Sequence, residues 1–166
     1  MTRVYAALVL FLLSCCSQNY LVTVNQQAIY DPAGIDSQNL VVDADLQGCI
    51  NFALAQQQLD DPEKLTVLSC PNSAVETLLG IDRLPRLQYL DLSDNRINNL
   101  TPLENLPRLS ALYVNDNLLT NISPLLFFEG LTLVSLRGND QIPCDQLEKL
   151  EAKLGDNLTP PETCID

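Results

Sequence analysis

The chain has 166 residues, 46% of them hydrophobic and 18% charged, with a formal net charge of −12. That suits one domain with a sizeable core, and it argues against nucleic acid or an anionic membrane surface as a ligand. With no histidine and no tryptophan, His-based catalysis, most zinc sites and every Ser-His or Cys-His nucleophile are excluded; no cofactor or bound metal is expected.

Residues 1–16 read as an export signal. Arg3 supplies the positive start and Val4–Leu13 a ten-residue apolar run, too short to span a membrane as a mature helix. The stretch Leu12-Leu13-Ser14-Cys15-Cys16 resembles the lipobox of bacterial lipoproteins, in which a leucine and small residues precede the cysteine that becomes the acylated N-terminus. Cys16, with Leu13 at minus three and Ser14 at minus two, is the favoured lipidation site, and Cys15 is the alternative. Acylation at Cys16 would remove Cys15 and leave four cysteines. Neither candidate is followed by aspartate, so the resemblance implies an outer-membrane lipid anchor, with the domain facing the periplasm or the cell surface. A plain secretory signal with incidental cysteines is the competing reading.

Residues 17–42 read as a tether with a small structured start. Tyr20-Leu-Val-Thr-Val alternates, and Ala28-Ile-Tyr follows after Asn25-Gln26-Gln27, a pattern that fits a β-hairpin. Residues 43–64 are expected to form an N-terminal cap. Asp43 or Asp45 can serve as helix N-cap, with Leu46, Ile50, Phe52, Ala53 and Leu54 on the apolar face. This row resembles the cap helix that precedes the repeats of internalin-like proteins. Cys49 lies on that helix, and Cys70 takes an inward position of the first strand beneath it. In an exported protein such a pair is expected to bond.

From Leu65 to Ile142 the chain repeats itself every 22 residues. Leu87, Leu90, Leu92, Asn95 and Ile97 recur as Leu109, Leu112, Val114, Asn117 and Leu119, then as Leu131, Val134, Leu136 and Asn139. A degenerate earlier copy has Leu65, Leu68, Cys70, Ser73 and Val75. This is the L-x-x-L-x-L-x-x-N-x-L pattern of leucine-rich repeats. Each Leu-x-Leu pair points to one face of a short strand. Asn95, Asn117 and Asn139 then turn the chain, and their amides are expected to form a buried ladder between coils. Ile97, Leu100, Leu103 and Leu106 complete the coil inward. The matching segments Asn99-Leu-Thr-Pro-Leu and Asn121-Ile-Ser-Pro-Leu carry a proline that bars a long helix, predicting a 3₁₀ or irregular return.

Residues 143–166 read as a C-terminal cap. A helix over Asp145–Leu154, with Leu147, Leu150 and Leu154 on one face and Gly155 at its end, can lie over the last coil. Cys144 and Cys164 flank it and are expected to form a second disulfide. The fold class that follows is an α/β solenoid, a short leucine-rich repeat right-handed superhelix of about four coils with helical caps at both ends.

The positions between the strand leucines face the concave surface of such a solenoid. They place Tyr89, Asp91, Asp94, Tyr113, Asn115, Asp116 and Arg137 together as the candidate binding face. Exposed tyrosines ringed by polar groups suit protein recognition. Asp91, Asp94 and Asp116 could ligate Ca²⁺, or two of them could act as acid and base, but an acidic solvated face accounts for them more simply. Asn99-Leu-Thr, Asn121-Ile-Ser and Asn157-Leu-Thr match the N-glycosylation pattern; two of the three fall at equivalent repeat positions, so repeat geometry accounts for them.

Taken whole, the chain resembles small leucine-rich repeat lipoproteins of Gram-negative bacteria. The resemblance implies a non-enzymatic protein-binding or scaffolding module of the cell envelope, with a protein partner and a lipid anchor. The alternatives are a structural envelope protein without a discrete ligand site, and a secreted repeat protein without lipid.

Overall fold

The computed structural model describes residues 22–24, 27–30 and 39–164. The backbone divides between Asn39 and Leu40 into two units. In the first, strands β1 (Val22–Val24) and β2 (Gln27–Tyr30) pair antiparallel, as the alternation predicts. The lipidation candidates Cys15 and Cys16 lie outside the described residues.

The second unit is built on a five-stranded parallel sheet in sequence order. Its strands are β3 (Val67–Ser69), β4 (Tyr89–Asp91), β5 (Ala111–Tyr113), β6 (Leu133–Ser135) and β7 (Leu158–Thr159). The register sets Leu68, Leu90, Leu112, Val134 and Leu158 side by side, and all five are buried in one core. Strands β3 to β6 are thus the 22-residue period made physical: each is three residues long because only the middle one needs to face inward.

Each coil returns behind the sheet through a short turn, led by Gly80 in the first and carrying Pro102 and Pro124 near the start of the next two. Ile81–Arg83 and Thr101–Asn105 are 3₁₀ segments, while α2 (Ser123–Leu126) is a single α turn. Leu100, Leu103, Ile122 and Leu125 from these segments are fully buried. Asn99 Oδ1 accepts from Thr101 N–H at 2.9 Å, and Asn121 Oδ1 from Ser123 N–H at 3.0 Å. These side-chain turns start each return segment and explain why the glycosylation-like triplets recur with the repeat.

Ahead of the sheet, α1 (Ala44–Gln56) buries Leu46, Ile50 and Ala53. Phe52 does not join that face: it is 65% exposed, because two residues past Ile50 puts it on the far side of a helix. Asp43, rather than Asp45, is the N-cap. Its Oδ1 accepts from the N–H groups of Asp45 and Leu46, both at 3.0 Å, and its Oδ2 from Glu76 and Thr77 at 2.9 and 3.1 Å. One carboxylate therefore starts the helix and ties it to the first return segment. The core also begins earlier than the expected boundary at residue 43: Val41 is buried, and Gln47 Oε1 accepts from the N–H groups of Leu40 and Val41. Gly80 permits this approach. It has φ +93°, and a Cβ there would lie 2.5 Å from Leu40 O.

Burial pushes the Asp43 carboxyl up, but the four backbone N–H donors outweigh that and hold it below its ordinary 3.8. A depressed folded-state pKa gives stability that is complete above the unfolded value and is lost as the pH falls through the folded one. We therefore expect the stability gap between wild type and Asp43→Asn to be full above the ordinary carboxylate range and to narrow as the pH falls below it. Denaturant midpoints of both proteins across that range check this; a gap independent of pH would contradict it.

After the last repeat, α3 (Cys144–Leu154) buries Leu147, Leu150 and Leu154 and ends at Gly155. Gln146 Oε1 accepts from Ile122 N–H at 2.8 Å. Lys153 Nζ donates to the carbonyls of Leu125 and Leu126 at 3.2 Å and to that of Phe128, filling the acceptors at the end of α2. Burial holds the Lys153 ammonium below its ordinary range, with Glu129 opposing. The chain then adds β7, which the sequence reading did not anticipate: Leu158 and Thr159 pair with Val134 and Ser135.

The disulfides are Cys49–Cys70 and Cys144–Cys164. The first fastens α1 to the strand it packs against. The second joins the two ends of the α3–β7 segment.

Candidate functional site

The polar skeleton of the repeats comes first, because it fixes where the outward side chains stand. Asn95 Nδ2 donates to the carbonyls of Cys70, Leu92 and Ser93 at 2.8–3.1 Å, and its Oδ1 accepts from Ser73 and Val75 N–H. Asn117 repeats this with Leu92, Val114 and Asn115 as acceptors and Ile97 N–H as donor. Asn139 bonds Val114, Leu136 and Arg137 carbonyls and Leu119 N–H. The Leu92 carbonyl is thus shared by Asn95 and Asn117, and the Val114 carbonyl by Asn117 and Asn139. Ser73 occupies the equivalent place in the first repeat, and its hydroxyl donates to Pro71 O in its own turn. Helix α1, not a coil, precedes it, so an amide there would have no neighbouring turn to bridge.

The outward face of the sheet carries two columns. Val67, Tyr89, Ala111 and Leu133 align in one, and Ser69, Asp91, Tyr113 and Ser135 in the other. Tyr89 and Tyr113 sit diagonally across β4 and β5, with ring centroids 5.4 Å apart and planes tilted by 41°. Asp91 lies between them, two residues after Tyr89 and in register with Tyr113. Its Oδ1 accepts from Ser93 N–H at 3.0 Å, and its Oδ2 is 3.4 Å from Ser69 Oγ. Burial, then the charge of Asp91, then Tyr113 push the Tyr89 phenol above its ordinary value.

Asn115 is held rather than free. Its Nδ2 donates to Ser93 Oγ at 3.2 Å, and its Oδ1 accepts from Ser135 Oγ at 2.6 Å and from Arg137 N–H at 3.0 Å. The Arg137 side chain stays exposed beside it. Asp94 and Asp116 stand elsewhere. They fall at the turns after β4 and β5 with φ of +58° and +50°, in phase with Asn72 at +51° and Gly138 at +76°. A left-handed turn every 22 residues favours asparagine, aspartate or glycine, so backbone geometry accounts for these two aspartates. The signal was legible as Asn72, Asp94, Asp116 and Gly138 at one phase. A Cβ at Gly138 would meet Asp116 Oδ1 at 2.1 Å, so glycine also gives that side chain its room. Among the described residues, no group of three or more His, Cys, Asp or Glu is placed to hold a metal ion.

A surface cavity of about 530 Å³ lies away from this face. It opens between the segments leading back into β5 and β6, with Leu106, Pro107, Pro124 and Phe127 in its wall and Glu104 and Glu129 beside them. Phe127 is 80% exposed there. Sequence reasoning did not single out this groove.

In-register parallel strands, inward leucines and shared asparagine rungs define a solenoid-like leucine-rich repeat fold. The family model described as leucine rich repeats (2 copies) matches residues 85–127. Among solved structures, the chain is similar to internalin C2 of Listeria monocytogenes, with 27% identity and a TM-score of 0.60 over 74% of this chain. It is also similar to the internalin inlF of that organism, with 27% identity and a TM-score of 0.62 over 75% of this chain. It spans only 54% of the first and 38% of the second. No curated protein sequence matches it. The chain thus has a leucine-rich repeat fold similar to that of these bacterial internalins.

Proposed function

We propose that this chain is a protein-binding module of the bacterial cell envelope, held by an N-terminal lipid and engaging its partner through the outward face of the sheet. In this reading four repeat coils over residues 65–142 form the body, and the segments carrying α1 and α3 close its ends. The observation that carries it is the Tyr89–Tyr113 pair: two half-buried aromatic side chains in contact, with Asp91 beside them, on a face whose backbone is fully fixed by the sheet. Rigid tyrosines lose little freedom on binding and are common anchors of protein interfaces. We expect Tyr89→Ala/Tyr113→Ala to weaken capture of a crosslinked partner from envelope extracts by roughly tenfold or more. If capture survives that change but fails on Glu104→Lys/Glu129→Lys, the partner uses the groove behind the sheet instead.

That groove supports the second reading, a structural envelope protein that packs its Phe127 side against neighbours in an assembly. No catalytic role is proposed for either face.

Membrane attachment is proposed to depend on acylation at Cys16. Among the described residues, no helix is long and apolar enough to cross a membrane. One acyl chain binds a bilayer marginally, whereas two or more hold firmly. Cys16→Ser is expected to leave an unacylated chain, as precursor or in the soluble fraction, with Cys15→Ser as the comparison. Fractionation and the intact mass of the N-terminal peptide decide it, and an unmodified wild-type N-terminus beginning after Cys16 would leave the secreted reading.

A further inference from the structure

Tyr89, Asp91 and Tyr113 form a triangle of two aromatic rings and one carboxylate on adjacent strands. The carboxylate is only partly used. It accepts one firm bond from Ser93 N–H and one long contact from Ser69 Oγ, whereas an ionised carboxylate has about four acceptor sites. Among the described residues, the ion pairs join Lys64 to Asp61, Arg96 to Glu76 and Lys149 to Asp145, and none reaches Asp91. The triangle is therefore electron-rich and lacks a cation of its own. The chain as a whole carries a formal charge of −12, which draws cations toward it.

We propose that Tyr89, Asp91 and Tyr113 form a seat for the guanidinium of an arginine side chain, presented by an extended segment of the protein partner. A planar guanidinium can lie against a tyrosine ring and donate to a carboxylate at the same time, which a compact ammonium does less well. The strand face gives the seat a fixed geometry, since Asp91 is held by Ser93 N–H. The inference deepens the strand-face reading of function and rests on it.

The test uses the full chain with its tyrosine rings labelled, titrated with Nα-acetyl-arginine amide and followed by NMR. Tyr89→Phe and Tyr113→Phe assign the two signals among the five tyrosines. Saturable shifts of those two are expected in roughly the millimolar range. The neutral citrulline amide should give none, and Asp91→Asn should weaken the arginine response roughly tenfold. Equal shifts with citrulline, an unchanged response in Asp91→Asn, or unsaturated shifts spread over all five tyrosines would each overturn the seat. If the double alanine variant loses its partner while the arginine probe stays silent, the strand face binds another chemistry and only the seat falls. If the probe binds but the partner ignores both tyrosines, the seat stands and the proposed function falls.

Discussion

Replacing Asn117 by alanine is expected to destabilise the protein by roughly 3 to 5 kcal/mol, measured as a fall in the free energy of denaturant unfolding. The number follows from what the side chain does in the middle of the stack. Its Oδ1 accepts from the Ile97 N–H, a buried group. An orphaned buried donor costs about 1–3 kcal/mol. Its Nδ2 also bonds the Leu92, Val114 and Asn115 carbonyls. Those three are not stripped bare, because Asn95 still reaches Leu92, Asn139 still reaches Val114, and Asp94 N–H still reaches Asn115. They lose their second bond, and the alanine leaves a small void. The control is four residues away. Asn121→Ala removes an exposed Asx turn and should cost about 1 kcal/mol or less. If both variants unfolded at similar denaturant concentrations, the rungs would not be what holds adjacent coils together.

The comparison of these two asparagines shows where the sequence was readable. A repeat writes each position several times, so a structural demand that recurs becomes visible as a period. Leu90, Leu112 and Val134 point inward for one reason, and Asn95, Asn117 and Asn139 bond in one pattern. The tyrosine pair was readable because the period also tells which residues face outward, and in which column. Misreadings fell where the period was taken too far or where it ended. Asp94 and Asp116 were grouped with the outward face, although their phase marks a left-handed turn with Asn72 and Gly138. Phe52 was added to the face of α1 on hydrophobicity alone, although helical geometry puts it opposite Ile50. Strand β7 has two residues and no alternation of its own; it forms because β6 offers unpaired backbone, as in Leu136 N–H donating to Thr159 O at 2.8 Å. Lys153 carries no motif at all. Its task is set by three carbonyls some 25–28 residues earlier, which only the fold brings near.

The second large effect belongs to the disulfide that fastens α1. Cys49 and Cys70 are 21 residues apart with Cα atoms 5.9 Å from each other. Closing a loop of that length restricts the unfolded chain by about 3 kcal/mol. Cys49→Ala/Cys70→Ala should therefore lower the melting temperature by roughly 10 °C. The loss should not be uniform. Stability in a stack of repeats is passed between neighbours, and α1 is otherwise held by Asp43, by Gln57 Nε2 donating to Val67 O at 3.0 Å, and by the burial of Leu46 and Ile50. These contacts remain in the variant, so the helix should dock but open more often, uncovering Leu65 and Leu68. Amide hydrogen exchange should speed up first in α1 and β3, with β5 and β6 following only at the global unfolding rate. Reduction of the wild type should reproduce that pattern and add early exchange in α3 and β7, where Cys144–Cys164 is also lost. Equal acceleration in all five strands of the double variant would show that the disulfide supports the whole stack at once, and that α1 is not a separable lid on its first coil.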